Sequence, residues 1–403
     1  MTGTTIAQAI PIAISPILTR IYTPEDFGLF ALFLAITTIF GSIANGRYEL
    51  AIMLPKKDED AINIFALGFI ITCCLSFVLF LLVILFNDYF TTLLGNEEIR
   101  LWLYLVPLSV FLTGIYNILT YFNNRKKKYK DLAKATVIKS IALAITQLLV
   151  GLIKEGVLGL VSGYIISQFF ANVRLLKNII SNNSLISKIS IVNIKTVGKR
   201  YIKFPKYLIL AHGMNTISNQ LPILLIGVLF NSTSAGFLTL TQRVLGIPIN
   251  LIANSIGDVF REEASKCYIK NKECKKIYVS TLKKLIIISI IPFGLIVYFS
   301  PYLFSIIFGE EWGIAGEYLQ ILSPMYFIRF ITTPLSSMGI IAEKQKIDLI
   351  WQSILFLLLV TLFLIDFDSE KNLILMISLI YSIMYLTALW LNYTFSRGEK
   401  YEG

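Results

Sequence analysis

The sequence predicts an all-α membrane protein with about twelve transmembrane helices in two six-helix lobes. Three observations support this: an apolar composition, apolar runs long enough to cross a bilayer, and cations that gather in alternate gaps between those runs. Of the 403 residues, 56% are hydrophobic and 13% aromatic, and the mean hydropathy is +0.72. A soluble domain is about 45–50% apolar, so a soluble protein is not expected.

The apolar residues form continuous runs of the length that crosses a hydrocarbon core of about 30 Å. Continuous runs, as opposed to alternating apolar and polar residues, favour helices over the strands of a barrel. No basic region precedes the first run, which continues past Ile14, so we expect a retained helix and not a cleaved signal peptide. The twelve predicted spans are 3–22, 27–46, 61–86, 101–121, 133–153, 157–175, 206–230, 233–257, 283–308, 315–340, 345–365 and 372–395.

The 36 lysines and arginines are distributed unevenly among the gaps between these spans. One alternating set of gaps, counted with the bordering ends of the spans and the end of the chain, holds 29 of them. The other set holds four, which are Arg20, Arg100, Lys154 and Lys371. A missed helix would mix the two sets, so the split supports the count of twelve. The positive-inside rule then places the basic gaps and both termini in the cytoplasm, as expected for a multi-pass protein of a cytoplasmic membrane. The basic surplus indicates topology, and no nucleic-acid partner is expected.

The first gap between spans reads YTPED, at residues 22–26. Pro24 and Asp26 favour a tight turn. Glu25 and Asp26 also complement the positive end of the helix that follows. The sequence therefore predicts an outward hairpin between the first two helices.

Two short phrases recur in the second half of the chain. Pro16-Ile17-Leu18 with Gly28-Leu29-Phe30 returns as Pro222-Ile223-Leu224 with Gly236-Phe237-Leu238, 206 positions later at the proline. Leu105-Val106-Pro107 returns as Leu322-Ser323-Pro324, 217 positions later. These repeats predict a duplication with a lobe at 1–176, a basic cytoplasmic linker at 177–205 and a second lobe at 206–403. Parallel repeats of this kind usually face each other across a substrate path.

Three phrases carry a resemblance to a known family: LTRIYTPEDFGLFALFL at 18–34, NGRYELAIMLP at 45–55 and FGEEW at 308–312. They resemble the Wzx-type polysaccharide flippases of the multidrug/oligosaccharidyl-lipid/polysaccharide exporter superfamily. The resemblance extends over the whole chain, including the helix count and the break between lobes. It implies two six-helix bundles in a V and, by alternating access, outward movement of an undecaprenyl-pyrophosphate-linked oligosaccharide for O-antigen or capsule assembly. It also implies the polymerase and chain-length proteins of the same pathway as partners.

Three cations lie inside predicted spans and away from the span ends: Lys139, Arg243 and Arg329. No Asp or Glu lies deep in any span. Ionisable groups in a membrane usually face a cavity, and guanidinium groups bind phosphate oxygens in pairs, so a lipid pyrophosphate is a suitable partner. Arg243, near mid-span and flanked by Thr241 and Gln242, is the main candidate. Alternatively, these cations reach the interface or bond backbone carbonyls of neighbouring helices.

Arg20 and Arg47 are further candidates, at the rim of the same site. Arg47 belongs to the phrase Gly46-Arg47-Tyr48-Glu49, in which Glu49 could instead pair with it. The related lipid II flippase has cavity arginines on helices 1, 2 and 8, and Arg20, Arg47 and Arg243 are similar to them in placement.

Polar side chains in the first and seventh spans are candidate sugar contacts, since amides suit sugar hydroxyls. Hydrogen bonding between helices is the commoner role of such residues. His212, the only histidine, is a candidate proton relay, with a structural role as the alternative. The candidate sugar contacts are Gln8, Ser15, Asn215, Asn219 and Gln220.

Other chemistry is not expected. A phosphate-binding GxxxxGK[ST] loop is missing, so this chain is not predicted to use ATP. Neither a disulfide nor a metal site is predicted from the four cysteines and one histidine. We predict no catalytic residue, no enzyme activity and no cofactor, and coupling to H⁺ or Na⁺ is left open.

A purely structural membrane scaffold is an alternative, although the repeated phrases and the cations within spans argue against it. Two rival functions also remain at this stage. A cation-coupled multidrug exporter of the same superfamily would be expected to carry an acidic residue deep in helix 1 or 7. A membrane-embedded polysaccharide polymerase or ligase would be expected to carry a large outward loop, and the longest one predicted here is about 87–100.

Overall fold

The computed structural model describes residues 2–154, 156–180 and 183–398, and these are helical, with no β-strand among them. Lys400, one of the predicted cytoplasmic cations, lies outside the described residues. The chain divides into two compact units, Met1–Gly236 and Phe237–Gly403.

The first unit contains eleven labelled helices and the start of a twelfth. A 3₁₀ turn at Tyr48–Met53 joins α3 to α4, and a π-helical turn at Phe204–Leu208 leads into α11. The helices are α1 (Thr2–Ala13), α2 (Ser15–Ile21), α3 (Pro24–Ile43), α4 (Asp58–Leu93), α5 (Ile99–Leu103), α6 (Val106–Arg125), α7 (Tyr129–Ile153), α8 (Leu158–Ile180), α9 (Asn183–Ile186), α10 (Ile191–Arg200), α11 (Ile209–Leu229) and α12 (Ser232–Asn271).

The second unit contains the remainder of α12 and five more labelled helices. They are α13 (Lys275–Phe308), α14 (Gly313–Leu335), α15 (Met338–Ile341), α16 (Gln345–Thr361) and α17 (Glu370–Ser396).

Each of the twelve predicted spans coincides with helix, and the all-α, multi-pass architecture of about twelve spans is confirmed. Seven described helices are individually long and apolar enough to cross a bilayer. The first span is interrupted at Ile14, between α1 and α2. Two helices run well past the predicted edges, to Leu93 in α4 and Asn271 in α12, because polar residues extend a helix without extending its apolar run.

The predicted turn between the first two spans is a helix cap. The Thr23 hydroxyl accepts a hydrogen bond from the Asp26 backbone N–H at 3.2 Å, and the Thr23 N–H donates to Asp26 Oδ2 at 3.0 Å. This reciprocal capping box satisfies donors that the helix itself leaves unpaired. Pro24 begins the helix, where its missing N–H and fixed φ fit.

The two repeated glycines meet. A Cβ atom on Gly28 of α3 would lie 1.7 Å from the Ser232 carbonyl oxygen of α12. A Cβ atom on Gly236 would lie 1.8 Å from the Pro24 carbonyl oxygen. Each backbone therefore occupies the space that the other's side chain would need, and only glycine fits at either position.

The third phrase of the resemblance forms part of the core of the second unit. Trp312 is buried, and the Phe237 ring packs edge-on against it with 5.7 Å between ring centroids. The same Phe237 ring packs edge-on against Tyr318 at 6.2 Å. Thr241 fastens α12 to α14, since its hydroxyl lies 2.7 Å from the Ala315 carbonyl oxygen. This packing fixes the part of α12 that carries Arg243.

Candidate functional site

Arg47 and Glu49 form an ion pair at the end of α3. Gly46 and Arg47 both have left-handed backbones, with φ of 60° and 61°, which turns the chain sharply before the 3₁₀ segment. Arg47 is one of few non-glycine residues with this conformation, which is costly for an ordinary side chain. The turn brings Arg47 Nη1 to 3.1 Å from Glu49 Oε1 and 3.4 Å from the Ser42 carbonyl oxygen.

This ion pair is largely removed from water. The exposed fraction of the side chain is 15% for Arg47 and 3% for Glu49. Burial raises the pKa of Glu49, and the Arg47 charge opposes that rise. Glu49 Oε2 and Arg47 Nε have no hydrogen-bond partner among the described residues. The alternative that the sequence left open, pairing of Arg47 with Glu49, is what the structure shows.

His212 of α11 is close enough to Arg47 for the arginine charge to act on its imidazole. The structure therefore brings two predicted residues, Arg47 and His212, into one region. Tyr121 of α6 is within reach of the charges of both Glu49 and Arg47. The role of His212 as a proton relay stays a prediction.

Lys139 of α7 lies over an aromatic ring. Its Nζ is 4.6 Å from the centroid of Tyr116 on α6. A ring face attracts a cation through its quadrupole, so the ring supplies part of the stabilisation that a carboxylate would give. No acidic side chain of the described chain pairs with Lys139.

The other candidates of the first unit occupy varied environments. The Ser15 hydroxyl donates to the Pro11 carbonyl oxygen at 2.7 Å, so it is engaged within its own helical region. Asn219 donates to the Asn215 carbonyl oxygen at 2.8 Å and to its side-chain oxygen at 3.0 Å. Three further candidates keep some exposure, namely Gln8, Arg20 and Gln220. Their roles as substrate contacts stay predictions.

Arg243 of α12 is half-buried and follows the buried Thr241. Among the side chains that the structure describes, none offers an oxygen within hydrogen-bond distance of its guanidinium, and none pairs with its charge. Burying an ionised group without a partner is unfavourable. The role of Arg243 as a contact for an anionic substrate stays a prediction.

Arg329 of α14 faces a cluster of three tyrosines. Its charge interacts with Tyr385, Tyr326 and Tyr381. Tyr381 and Tyr385, one turn apart on α17, stack with ring centroids 5.9 Å apart and planes at 26°. No carboxylate of the described chain pairs with Arg329.

The tyrosine cluster continues to Trp351 of α16. Its ring lies 6.0 Å from Tyr385, and its Nε1 donates to the Met384 carbonyl oxygen at 2.8 Å. The sequence analysis missed these aromatic residues. The spacing of Tyr381 and Tyr385, four positions apart on a predicted helix, was the available signal, but nothing in sequence linked them to Arg329.

Clusters of metal-ligating residues are not found: no group of three or more His, Cys, Asp or Glu side chains in the described ranges is placed to hold a metal ion. The functional groups that the structure offers are guanidinium, ammonium, phenol and amide. These bind anions and hydroxyl groups.

Comparisons with known proteins agree with this reading. The family described as polysaccharide biosynthesis protein matches residues 17–315. The succinoglycan biosynthesis transport protein ExoT of Rhizobium meliloti (strain 1021) is 21% identical over 335 residues, which cover 80% of this chain and 63% of that protein. This chain thus matches less than two thirds of the length of that relative.

Solved structures share the fold. An inward-facing multidrug resistance MATE family transporter of the MOP superfamily superimposes with a TM-score of 0.73 at 13% identity, covering 97% of this chain and 93% of that one. The lipid II flippase MurJ, in an inward closed conformation, superimposes with a TM-score of 0.71 at 15% identity. The superposition covers 98% of this chain and 89% of MurJ. A MOP superfamily transporter from Pyrococcus furiosus superimposes with a TM-score of 0.60 at 12% identity. The superposition covers 97% of this chain and 92% of that one. These likenesses confirm the predicted exporter fold.

Proposed function

We propose that this chain, which belongs to the polysaccharide biosynthesis protein family, translocates an undecaprenyl-pyrophosphate-linked oligosaccharide repeat unit. The unit would move from the inner to the outer leaflet of the cytoplasmic membrane for O-antigen or capsule assembly. Family membership supports a polysaccharide transporter, and the name of the relative ExoT points the same way. MurJ, which shares this fold, is named as a lipid II flippase, and that name indicates a lipid-linked substrate for MurJ.

The observation that carries the proposal is the unpaired guanidinium of Arg243. It lies within a helix of a membrane protein and has no anionic partner among the described side chains. A pyrophosphate offers several anionic oxygens, and a guanidinium binds two of them at once. Arg329 is a second candidate contact, held among phenols that do not neutralise it.

A multidrug exporter is the first rival function, because a MATE family transporter has the same fold. Such a transporter would be expected to use a membrane carboxylate to bind organic cations or coupling ions. Within the described chain, Glu49 is the only acidic side chain that is fully buried, and Arg47 pairs with it. Buried cations without acidic partners favour an anionic substrate over a cationic one.

A polymerase or ligase is the second rival. The gap predicted at 87–100 is mostly helix, since α4 continues to Leu93 and α5 begins at Ile99. Five residues between these helices leave little room for a catalytic domain at this position. The structure therefore favours transport over glycan synthesis.

The test compares arginines of one helix in a strain that lacks its own copy of this protein. Arg243→Ala should abolish surface polysaccharide while membrane protein stays near the parent level. Arg243→Lys should keep partial function, because lysine retains the charge but loses the paired contact. Arg261→Ala is the matched control, since Arg261 is also on α12 but its side chain is 59% exposed. Its Nη1 lies 3.9 Å from Asp258 Oδ1.

Polysaccharide would be measured with antibody and membrane protein by immunoblot. Full polysaccharide display by a well-expressed Arg243→Ala variant would exclude this anchoring role. Loss of display with equal loss of membrane protein would indicate a structural role instead. Robust ethidium export driven by Na⁺ or a proton gradient would favour the multidrug rival.

The proposal also places both termini in the cytoplasm. In a background without Cys73, Cys74, Cys267 and Cys274, cysteines at the exposed Glu97 and Asp368 should react with an impermeant reagent from outside intact cells. Cysteines at Lys127 and Lys272 should react only after the membrane is opened. Labelling of positions 97 and 127 from the same side would refute the topology.

A further inference from the structure

The linker between α8 and α11 is strongly basic. Residues 183–208 contain six cations and no acidic residue. The cations are Lys188, Lys195, Lys199, Arg200, Lys203 and Lys206. Two of them, Lys188 and Arg200, form ion pairs with residues of α4. Two others, Lys195 and Lys199, lie exposed on α10.

The inner face of α10 packs against other parts of the first unit. Val197 is 1% exposed and belongs to the same apolar core as Ile62 and Ile64 of α4. The Tyr48 hydroxyl donates to the Gly198 carbonyl oxygen at 3.0 Å. Arg200 Nη1 lies 2.9 Å from Asp60 Oδ2. Apolar burial, a hydrogen bond and an ion pair thus hold the same side of α10.

The segment that leads into α10 is held as well. The Asn63 side chain donates to the Lys188 carbonyl oxygen at 3.1 Å and accepts from the Ser190 N–H at 3.0 Å. Lys188 Nζ lies 3.2 Å from Glu59 Oε1. The Ser190 hydroxyl accepts from the Asn193 N–H at 3.2 Å and caps the helix. Because both ends of α10 are fastened, its orientation is defined.

The position of α10 along α4 indicates its depth. A Cβ atom on Gly198 would lie 3.3 Å from the Leu67 side chain. At 1.5 Å per residue, Leu67 lies about 13 Å along α4 from its first residue, Asp58. The apolar run of α4 begins at Ala61. Part of α10 therefore lies level with apolar α4, at the boundary between membrane and water.

The outer face of α10 mixes aliphatic and cationic side chains. At 3.6 residues per turn, Ile191, Val192, Lys195 and Lys199 fall within an arc of about 100°, opposite Val197. Ile191 and Val192 are each 73% exposed, and both lysines are exposed. Water is an unfavourable environment for two exposed aliphatic side chains, whereas the interface of an anionic bilayer suits both residue types.

We propose that this outer face binds anionic phospholipid headgroups of the cytoplasmic leaflet. Ile191 and Val192 enter the interfacial layer, and Lys195 and Lys199 extend along it so that their ammonium groups meet phosphate oxygens. The commitment to an anionic lipid rests on charge, since the linker has no acidic residue and, within the described chain, only two of its six cations, Lys188 and Arg200, are paired with acids of α4. This binding is separate from the transport proposal, and each can fail alone.

The first test measures the environment of Val192 in the full-length protein. A cysteine-free background receives Val192→Cys, labelled with the environment-sensitive dye NBD, and is placed in nanodiscs. The discs contain phosphatidylcholine alone or with phosphatidylglycerol. Ile269→Cys is the matched control, because Ile269 on α12 is also 73% exposed and lies one turn from Lys266, whose charge is already paired with Glu262.

With phosphatidylglycerol present, the probe at position 192 should shift to the blue and be quenched by lipids carrying a doxyl group near the headgroup. The probe at position 269 should report water in both kinds of disc. Water-like emission at position 192 in anionic discs would overturn the proposal. An apolar environment that is identical with and without phosphatidylglycerol would also overturn it, since something other than anionic lipid would then cover the face.

The second test removes the charge and keeps the helix. Lys195→Gln/Lys199→Gln should weaken phosphatidylglycerol retention, measured by native mass spectrometry, by about fivefold for each lysine removed. Lys266→Gln/Lys270→Gln on α12 should leave it unchanged. Size-exclusion profiles identical to the parent would show that both variants are folded. Equal retention by the two double variants would contradict the assignment to α10.

Discussion

The buried cations of the two units are stabilised differently. In the first unit, Arg47 pairs with Glu49 at 3.1 Å, and Lys139 lies over the Tyr116 ring at 4.6 Å. In the second unit, Arg243 has no such partner among the described side chains, and Arg329 is surrounded by phenols.

Lys139 and Arg329 both have tyrosine neighbours, so the contrast between the units lies in the other two cations. The fold pairs Arg47 with a carboxylate and leaves Arg243 without an acidic partner among the described side chains. Removing one partner of a buried ion pair is strongly destabilising because it strands the other charge. A buried cation without a partner already carries that cost, and an anionic ligand would relieve it. The contrast yields two testable hypotheses: Arg243 of the second unit binds the anionic ligand, and Arg47 of the first unit has a structural role.

The largest expected effect comes from breaking the ion pair. Glu49→Ala should lower the free energy of unfolding by about 3–5 kcal/mol, because Arg47 would stay buried without its counter-charge. Thermal unfolding of the purified protein, followed by tryptophan fluorescence, would measure the change. Arg47→Met/Glu49→Leu should recover most of the loss. A Glu49→Ala variant as stable as the parent would mean that Arg47 does not depend on Glu49.

The next effect has the opposite sign. Arg243→Leu should raise the free energy of unfolding by about 1 kcal/mol, since it removes a half-buried guanidinium that has no partner among the described side chains. The same thermal assay would measure it, with Arg261→Leu near zero as the control because Arg261 is exposed. A clear loss of stability would show that Arg243 has a partner, and the contrast between the units would collapse.

The smallest effect concerns Lys139. Tyr116→Leu should lower the free energy of unfolding by about 0.5–2 kcal/mol through loss of the ring face. Tyr116→Phe should cost little, because the ring face is kept. A difference between the two variants in the thermal assay would sharpen the comparison. If both behave as the parent, Lys139 belongs with the unpaired cations of the second unit.

Much of the fold could be predicted because hydrophobic runs and the positive-inside rule act along the sequence. The cap formed by Thr23 and Asp26 is equally local, and its turn was correctly predicted. The helices α4 and α12 extend beyond the predicted spans. A helix that continues past its apolar run keeps its backbone hydrogen bonds, but the sequence no longer shows the apolar pattern that predicts it. Docking of α10 through Val197 depends on contacts with a distant helix, which periodicity does not reveal.

The site was predictable only in part. Lys139, Arg243 and Arg329 stand out in sequence because a cation in an apolar run is costly. Whether each has a partner is a question of three dimensions: Glu49 is near Arg47 in sequence, but Tyr381 and Tyr385 are more than fifty residues from Arg329. Polar residues such as Ser15 were ambiguous, because a hydroxyl that bonds its own helix looks the same in sequence as one that binds sugar.

The crossing of α3 and α12 bears on how such a chain arose. The Asn231 side chain accepts from the Ser234 N–H at 2.8 Å near the start of α12, and it precedes Gly236 by as many residues as Thr23 precedes Gly28. Each glycine meets the backbone four residues before the other. A two-fold axis between identical subunits produces this reciprocity, in which a patch on each copy contacts the same patch on its mate. The predicted duplication would account for it: in a dimer of two six-helix chains, one glycine position would serve both sides of the contact, whereas a fused chain needs a glycine at each of two positions.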